Sequence, residues 1–225
     1  MRRIGVLGGT FDPVHYGHLV IAEDARAYAH LEKVLFVPAH RPPHKPARSY
    51  SAFRHRVRMT ELAIAGNPVF ELCLIEAGRS GPSYTVDTLR DLQAQLGAEA
   101  ELYFVVGMDS LANILQWYKP AELLTLCRLV VAERAGYRVD LVALEEKLPG
   151  LRDSLVMIDT PELSISSSDL QHRIGLGLPI RYQVPPAIED YVREHRLYRS
   201  RGRAEAETSL PSGTPSRSSG AGASC

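Results

Sequence analysis

The sequence predicts an α/β domain built on a doubly wound, mostly parallel sheet. Short apolar, β-branched runs alternate with stretches of helical periodicity over about 200 residues. Polar turns rich in glycine and proline fall just after several of those runs, where such sheets hold their ligands. At 225 residues the chain can bury a sizeable core in one such domain.

The elements follow in order. Ile4–Leu7 is apolar and reads as the first strand, and Leu19–Tyr28 as the helix after it. Val34–Val37 is a second strand, and Ala52–Ala65 a helix with Ser51 as a candidate N-cap. Phe70–Ile75 is a third strand and Thr85–Leu96 an amphipathic helix. Strands at Leu102–Val106, Leu129–Ala132 and Leu155–Ile158 interleave with helices at Ala121–Leu126 and Val142–Lys147. Helices at Asp169–Ile174, with Ser168 as a candidate N-cap, and at Pro186–Glu194 complete the pattern. Residues 1–200 make the domain. Residues 201–225 differ in kind: Ser, Gly, Ala and Pro supply 16 of the 25, and Leu210 is the one large aliphatic. Such a segment cannot offset its ordering entropy by burial, so a disordered tail is expected.

Composition excludes some functions. Twenty-six basic residues balance 26 acidic ones, so no broad nucleic-acid surface is expected. No apolar run is long enough to span a bilayer, and Met1-Arg2-Arg3-Ile4 lacks the apolar stretch of a signal peptide. Cys73, Cys127 and Cys225 lie far apart, an odd count without metal-ligand spacing. These features give the expectation of a cytoplasmic protein with neither membrane nor nucleic-acid partners.

The richest segment is Gly8-Gly9-Thr10-Phe11-Asp12-Pro13-Val14-His15-Tyr16-Gly17-His18. A strand ends in a glycine turn, and two histidines three apart sit at the mouth of a helix. A helix start offers free N–H groups and partial positive charge, which suits a phosphate. Gly8 and Gly9 allow close backbone approach, and Gly17 leaves room beside the imidazoles. The Gly-x-Gly-x-x-Gly dinucleotide fingerprint does not fit this spacing, and the Gly-Lys-Ser/Thr of a P-loop is absent. Zinc would need a third ligand at fitting spacing, which is missing.

With its His-x-Gly-His, this segment resembles the signature of a nucleotidyltransferase superfamily, and within it most resembles the bacterial nicotinate-nucleotide adenylyltransferases. Further markers arrive in the same order over residues 3 to 198: Pro43-His44-Lys45, Arg56-Val57-Arg58-Met59, Gly81-Pro82-Ser83-Tyr84-Thr85, Gly107-Met108-Asp109-Ser110, Trp117-Tyr118, Ile165-Ser166-Ser167-Ser168 and Leu197-Tyr198. The resemblance implies a Rossmann-like nucleotidyltransferase fold. It also implies a reaction in which the phosphate of nicotinate mononucleotide attacks the α-phosphorus of ATP, giving nicotinate adenine dinucleotide (deamido-NAD) and pyrophosphate.

The resemblance further implies roles. His15, His18 and Lys45 act on the triphosphate as catalytic groups, with His44 and Arg56 as weaker candidates. Gly8, Gly9, Thr10, Phe11, Gly17, Gly107, Ser166, Ser167, Ser168 and Arg173 belong to the ATP site. Thr85 and the backbone near Tyr118 take the nicotinate carboxylate, Trp117 stacks on the pyridine ring, and Asp109 meets a ribose hydroxyl or a magnesium-bound water. Magnesium enters on the ATP phosphates, without a protein-built metal site. A homo-oligomer is compatible with this picture. Gln171 stands where the relatives generally carry arginine, which puts the phosphate clamp in question. Two alternatives stay open: the same fold acting on nicotinamide mononucleotide or phosphopantetheine, and a nucleotide-binding regulatory module that has lost catalysis.

Overall fold

The computed structural model describes residues 1–43, 50–133 and 139–199. One six-stranded sheet has the order β3-β2-β1-β4-β5-β6, with every neighbouring pair parallel. The strands are β1 (Arg2–Gly9), β2 (Lys33–Pro38), β3 (Phe70–Leu72), β4 (Ala100–Gly107), β5 (Cys127–Ala132) and β6 (Leu155–Ile158). The helices are α1 (Tyr16–Tyr28), α2 (Phe53–Ile64), α3 (Thr85–Leu96), α4 (Met108–Ala112), α5 (Pro120–Leu126), α6 (Leu141–Lys147), α7 (Leu151–Ser154), α8 (Ser167–Gly175) and α9 (Pro186–Glu194).

Every strand and helix expected from the sequence is present, and α3, β6 and α9 coincide with their expected bounds. The differences have local causes. β3 stops at Leu72: Cys73 still donates its N–H to Phe36, but the chain then turns, with Ala77 N–H on the Leu74 carbonyl. Ser51 does not cap α2, whose N-cap is Ala52; its N–H donates to the Asp12 carboxylate at 2.8 Å. Ser168 lies inside α8; the cap is Ser166, whose Oγ accepts from the Asp169 N–H. α4, α7 and a 3-10 turn at Ile114–Gln116 are too short to leave a periodic trace.

Alternation along the strands feeds two cores. Ile4, Val6, Leu35, Val37, Leu102 and Phe104 pack with Leu89 and Leu92 of α3 and Leu123 of α5. Val34, Phe36, Tyr103, Val105 and Val130 pack with Ala22 and Ala25 of α1 and Ile64 of α2. Strands covered on both faces read as unbroken apolar runs, and this is why the sequence displayed them so plainly. A third cluster, including Met59, Leu170, Ile188 and Val192, joins α2, α8 and α9. α1 buries only small residues, Gly17, Ala22 and Ala25, so it can lie close to the sheet. The chain winds from β1 outward to β3, then returns to the other side of β1 as β4. That reversal is the switch point at which such sheets bind ligands.

Candidate active site

A cavity of about 960 Å³ opens at the carboxyl ends of β1 and β4. Gly8, Gly9 and Thr10 leave β1 along its wall, and His15, Gly17 and His18 follow at the start of α1. The His15 N–H donates to Nδ1 of His18 at 3.3 Å, and the two rings stack with centroids 3.8 Å apart. An imidazole that accepts at Nδ1 carries its proton on Nε2, so His18 is a neutral Nε2–H donor in this arrangement. His15 is 6% exposed, and burial pushes its imidazole down to about 4. It is therefore neutral at pH 7. A Cβ on Gly17 would lie 3.0 Å from Nδ1 of His15, so only glycine leaves that ring undisturbed. Phe11 is buried behind the wall, edge-on to His18 with centroids 5.1 Å apart. It supports the His18 ring and does not line the cavity.

Other helix starts point at the same space. Ser166, Ser167 and Ser168 at the start of α8 line the cavity, and the Ser167 hydroxyl donates to the Pro13 carbonyl at 3.0 Å. Tyr84 and Thr85, at the start of α3, line the opposite region. Tyr84 makes no side-chain cap, and its carbonyl accepts the Asp87 and Thr88 N–H groups of α3 at 3.1 and 3.2 Å. Three helices of at least nine residues thus direct their positive ends at one cavity. Lysine and arginine are absent from its lining among the described residues, whereas Glu76, Asp109, Glu133 and Glu162 are present.

The region near Thr85 is aromatic. Trp117 lies edge-on to Phe104 with centroids 5.9 Å apart, and the exposed ring of Tyr118 packs on Tyr84 at 4.5 Å. Asp109, in the first turn of α4, is exposed at the wall beside Gly107. Sequence reasoning missed a polar network beneath this wall. Glu76 is 5% exposed and accepts from the Thr88 hydroxyl at 2.6 Å and the His40 N–H at 3.2 Å. The Ser83 N–H donates to the Arg41 carbonyl at 2.9 Å, and the Arg41 N–H returns a bond to the Ser83 hydroxyl at 3.0 Å. Glu76 follows an apolar run, and nothing in the run marks it as polar structure.

Besides Phe11, two expected site residues stand outside the cavity lining. Arg56 is fully buried and donates to the carbonyls of Ser51, Thr10, Ala39 and His40 at 2.8–3.3 Å. It braces the loops behind the cavity and is neither a cavity-lining cation nor half of a surface ion pair. Burial lowers its pKa, with Asp12 the largest opposing influence. Arg173, late in α8, donates through Nε and a terminal nitrogen to the Pro179 carbonyl at 3.2 and 3.0 Å. The helix carries it away from its serine-bearing end, and it does not line the cavity. His44, Lys45 and the 201–225 tail lie outside the described residues.

No group of three or more His, Cys, Asp or Glu among the described residues is arranged to hold a metal ion. The donor set nevertheless suits magnesium carried by a polyphosphate: carboxylate oxygens line the wall, and a hard cation would offset their repulsion of phosphate. No helix among the described residues is long and apolar enough to cross a membrane.

A six-stranded parallel sheet with paired imidazoles and helix starts at its switch point defines a nucleotide-binding α/β protein, and the cytidylyltransferase-like family model matches residues 6–173, so the chain belongs to that family. Among its relatives, a probable nicotinate-nucleotide adenylyltransferase of Thermomicrobium roseum is 41% identical over 98% of this chain and all of the relative. One from a Roseiflexus species, bearing the same description, is 48% identical over 87% of this chain and 98% of its own. The nicotinic acid mononucleotide adenylyltransferase of Plasmodium falciparum, solved in complex with NaAD, has the same fold. Its TM-score is 0.73 at 23% identity, covering 88% of this chain and 98% of that one.

Proposed function

We propose that the chain is an adenylyltransferase of NAD synthesis, joining ATP and nicotinate mononucleotide into nicotinate adenine dinucleotide with release of pyrophosphate. The observation that carries this reading is the convergence of three helix starts and the His15–His18 pair on one cavity with an aromatic wall at its far side. The names of the relatives support it. A phosphate oxygen of the mononucleotide attacks the α-phosphorus of ATP, the bond to the β-phosphate oxygen breaks, and pyrophosphate leaves. The nucleophile is already anionic, so the protein's work is alignment and neutralisation of shifting charge. His18, the positive ends of α1 and α8 and the Ser166 and Ser168 hydroxyls take the phosphates, with Lys45 and His44 from the segment that follows β2. Magnesium, when bound with ATP, supplies further charge stabilisation, and Asp109 is an exposed wall carboxylate placed to meet it or a ribose hydroxyl. Thr85 and the start of α3 take the nicotinate carboxylate, and Trp117 faces the pyridine ring. We place the reaction in the cytoplasm.

The test is product formation by the purified chain from magnesium-ATP and nicotinate mononucleotide, nicotinamide mononucleotide or phosphopantetheine. A carboxylate site satisfies two oxygens, whereas an amide sets an NH2 against a donor. The nicotinate form should therefore lead by at least about tenfold in kcat/KM. His18→Ala should lower kcat by about two to three powers of ten in a folded protein. Equal use of both pyridine acceptors refutes the carboxylate site; undiminished turnover in His18→Ala refutes the phosphate assignment.

A further inference from the structure

Asp12 is 2% exposed and sits three residues before His15. Its carboxylate collects donors from distant parts of the chain. One oxygen accepts the Tyr198 hydroxyl, and the other accepts the Ser51 N–H at 2.8 Å and the Gln171 amide at 3.2 Å. The Gln171 amide also donates to the Asp12 carbonyl. Beside them lies the buried Arg56 guanidinium, fixed to the Thr10 and Ala39 carbonyls. Tyr198 holds a left-handed φ of 63°, which a side chain disfavours, near the end of the described chain. Burial, with Asp12 next, raises its hydroxyl pKa, so the group stays a donor. None of Asp12, Gln171 and Tyr198 lines the cavity.

We infer that Tyr198 and Gln171 are positioning residues that act through Asp12, holding the His15–His18 turn of α1 and the serine start of α8 in one fixed relation. The connection is direct on both sides. Asp12 precedes the histidine turn, Gln171 lies one turn after Ser167, and the Ser167 hydroxyl itself reaches Pro13. A neutral amide suits this place: it gives both hydrogens to Asp12, and the phosphates are left to the helix starts. The inference rests on the proposed reaction, because what the hub positions is the phosphate-facing half of that site. Groups that align reacting atoms affect turnover when displaced by as little as 1 Å.

The experiment compares the unmodified full chain with Tyr198→Phe, Gln171→Met, the double variant and Ile188→Ala. Ile188 is fully buried in the cluster joining α2, α8 and α9, has no polar atom to offer Asp12, and serves as a control for lost stability. Melting temperature and steady-state kinetics for ATP and nicotinate mononucleotide are measured at a temperature where all are folded. Tyr198→Phe and Gln171→Met should each lower kcat by about tenfold or more, with both KM values within about threefold. The double variant should lose less than the product of the two, since both act through one carboxylate. Ile188→Ala should lower the melting temperature at least as much and keep its kcat. If Tyr198→Phe does not fold, Gln171→Met decides alone. Undiminished kcat in a folded Gln171→Met, or an equal loss in Ile188→Ala, overturns the inference. An unmodified chain that forms no dinucleotide overturns the proposed reaction itself, and the inference with it.

Discussion

His15 should dominate how this protein's stability responds to mild acid. Its imidazole is neutral in the fold, pushed by burial from 6.5 to about 4. In the unfolded chain it binds a proton as pH drops through 6.5; in the folded chain it resists until about 4. The unfolded state thus holds more protons across that window, and stability falls as pH falls. The penalty is about 2 kcal/mol at pH 5 and about 3 kcal/mol at pH 4, and it is complete only below pH 4. Above pH 6.5 both states are neutral and the effect vanishes. His15→Gln removes the titration and keeps a polar group at the start of α1. Thermal melting of both proteins at pH 8 and pH 5 gives the comparison, since carboxylates and other histidines contribute alike and cancel. The unmodified protein should lose about 4–8 °C more than the variant between the two pH values. Parallel losses in both proteins would refute the claim that His15 is held neutral by burial.

Three further outcomes follow from the same geometry. Arg56→Met should destabilise by about 3–5 kcal/mol in urea denaturation, because four carbonyls lose a donor and Asp12 loses a neighbouring positive charge; a loss under about 1 kcal/mol would contradict the bracing role. Arg173→Gln should leave the KM for ATP within about twofold, since the guanidinium is engaged by Pro179; a tenfold rise would place it at the phosphates. Trp117→Ala should weaken nicotinate and nicotinamide acceptors alike, whereas Thr85→Ala should narrow the gap between them; the reverse pattern of kcat/KM values would exchange the two roles.

The sheet was legible because its inner strands are covered on both faces, and such strands leave continuous apolar runs at Ile4–Leu7, Leu102–Val106 and Leu129–Ala132. The cavity's position was legible because polar turns follow the first, second and fourth strands. Residues with cavity-facing side chains, His15, His18, Thr85, Asp109, Trp117 and Ser166–Ser168, lie on its wall. Direction within an element was harder to see. Arg173 sits in the right helix but two turns past its start, and Arg56 turns inward to carbonyls, because a guanidinium can satisfy backbone as readily as phosphate. Asp12, Gln171 and Tyr198 meet across more than 180 residues of sequence, and no spacing rule links them. Gln171, standing where the relatives generally carry arginine, put the phosphate clamp in question, and its partner Asp12 is too distant in the chain for the sequence to show it.

The reciprocal bonds between Arg41 and Ser83, with Glu76 bridging His40 and Thr88, bear on how this protein can be altered. They fasten the segment leaving β2 to the segment that opens α3 and carries Thr85. An enzyme whose two substrate regions were separate modules could be given a new acceptor by rebuilding one of them. Here a bulkier acceptor that pushes on residues 83–85 also pushes on residues 40–41. Directed evolution toward such an acceptor should therefore yield paired substitutions, one at 83 or 88 and one at 40, 41 or 76, before it yields efficient single ones.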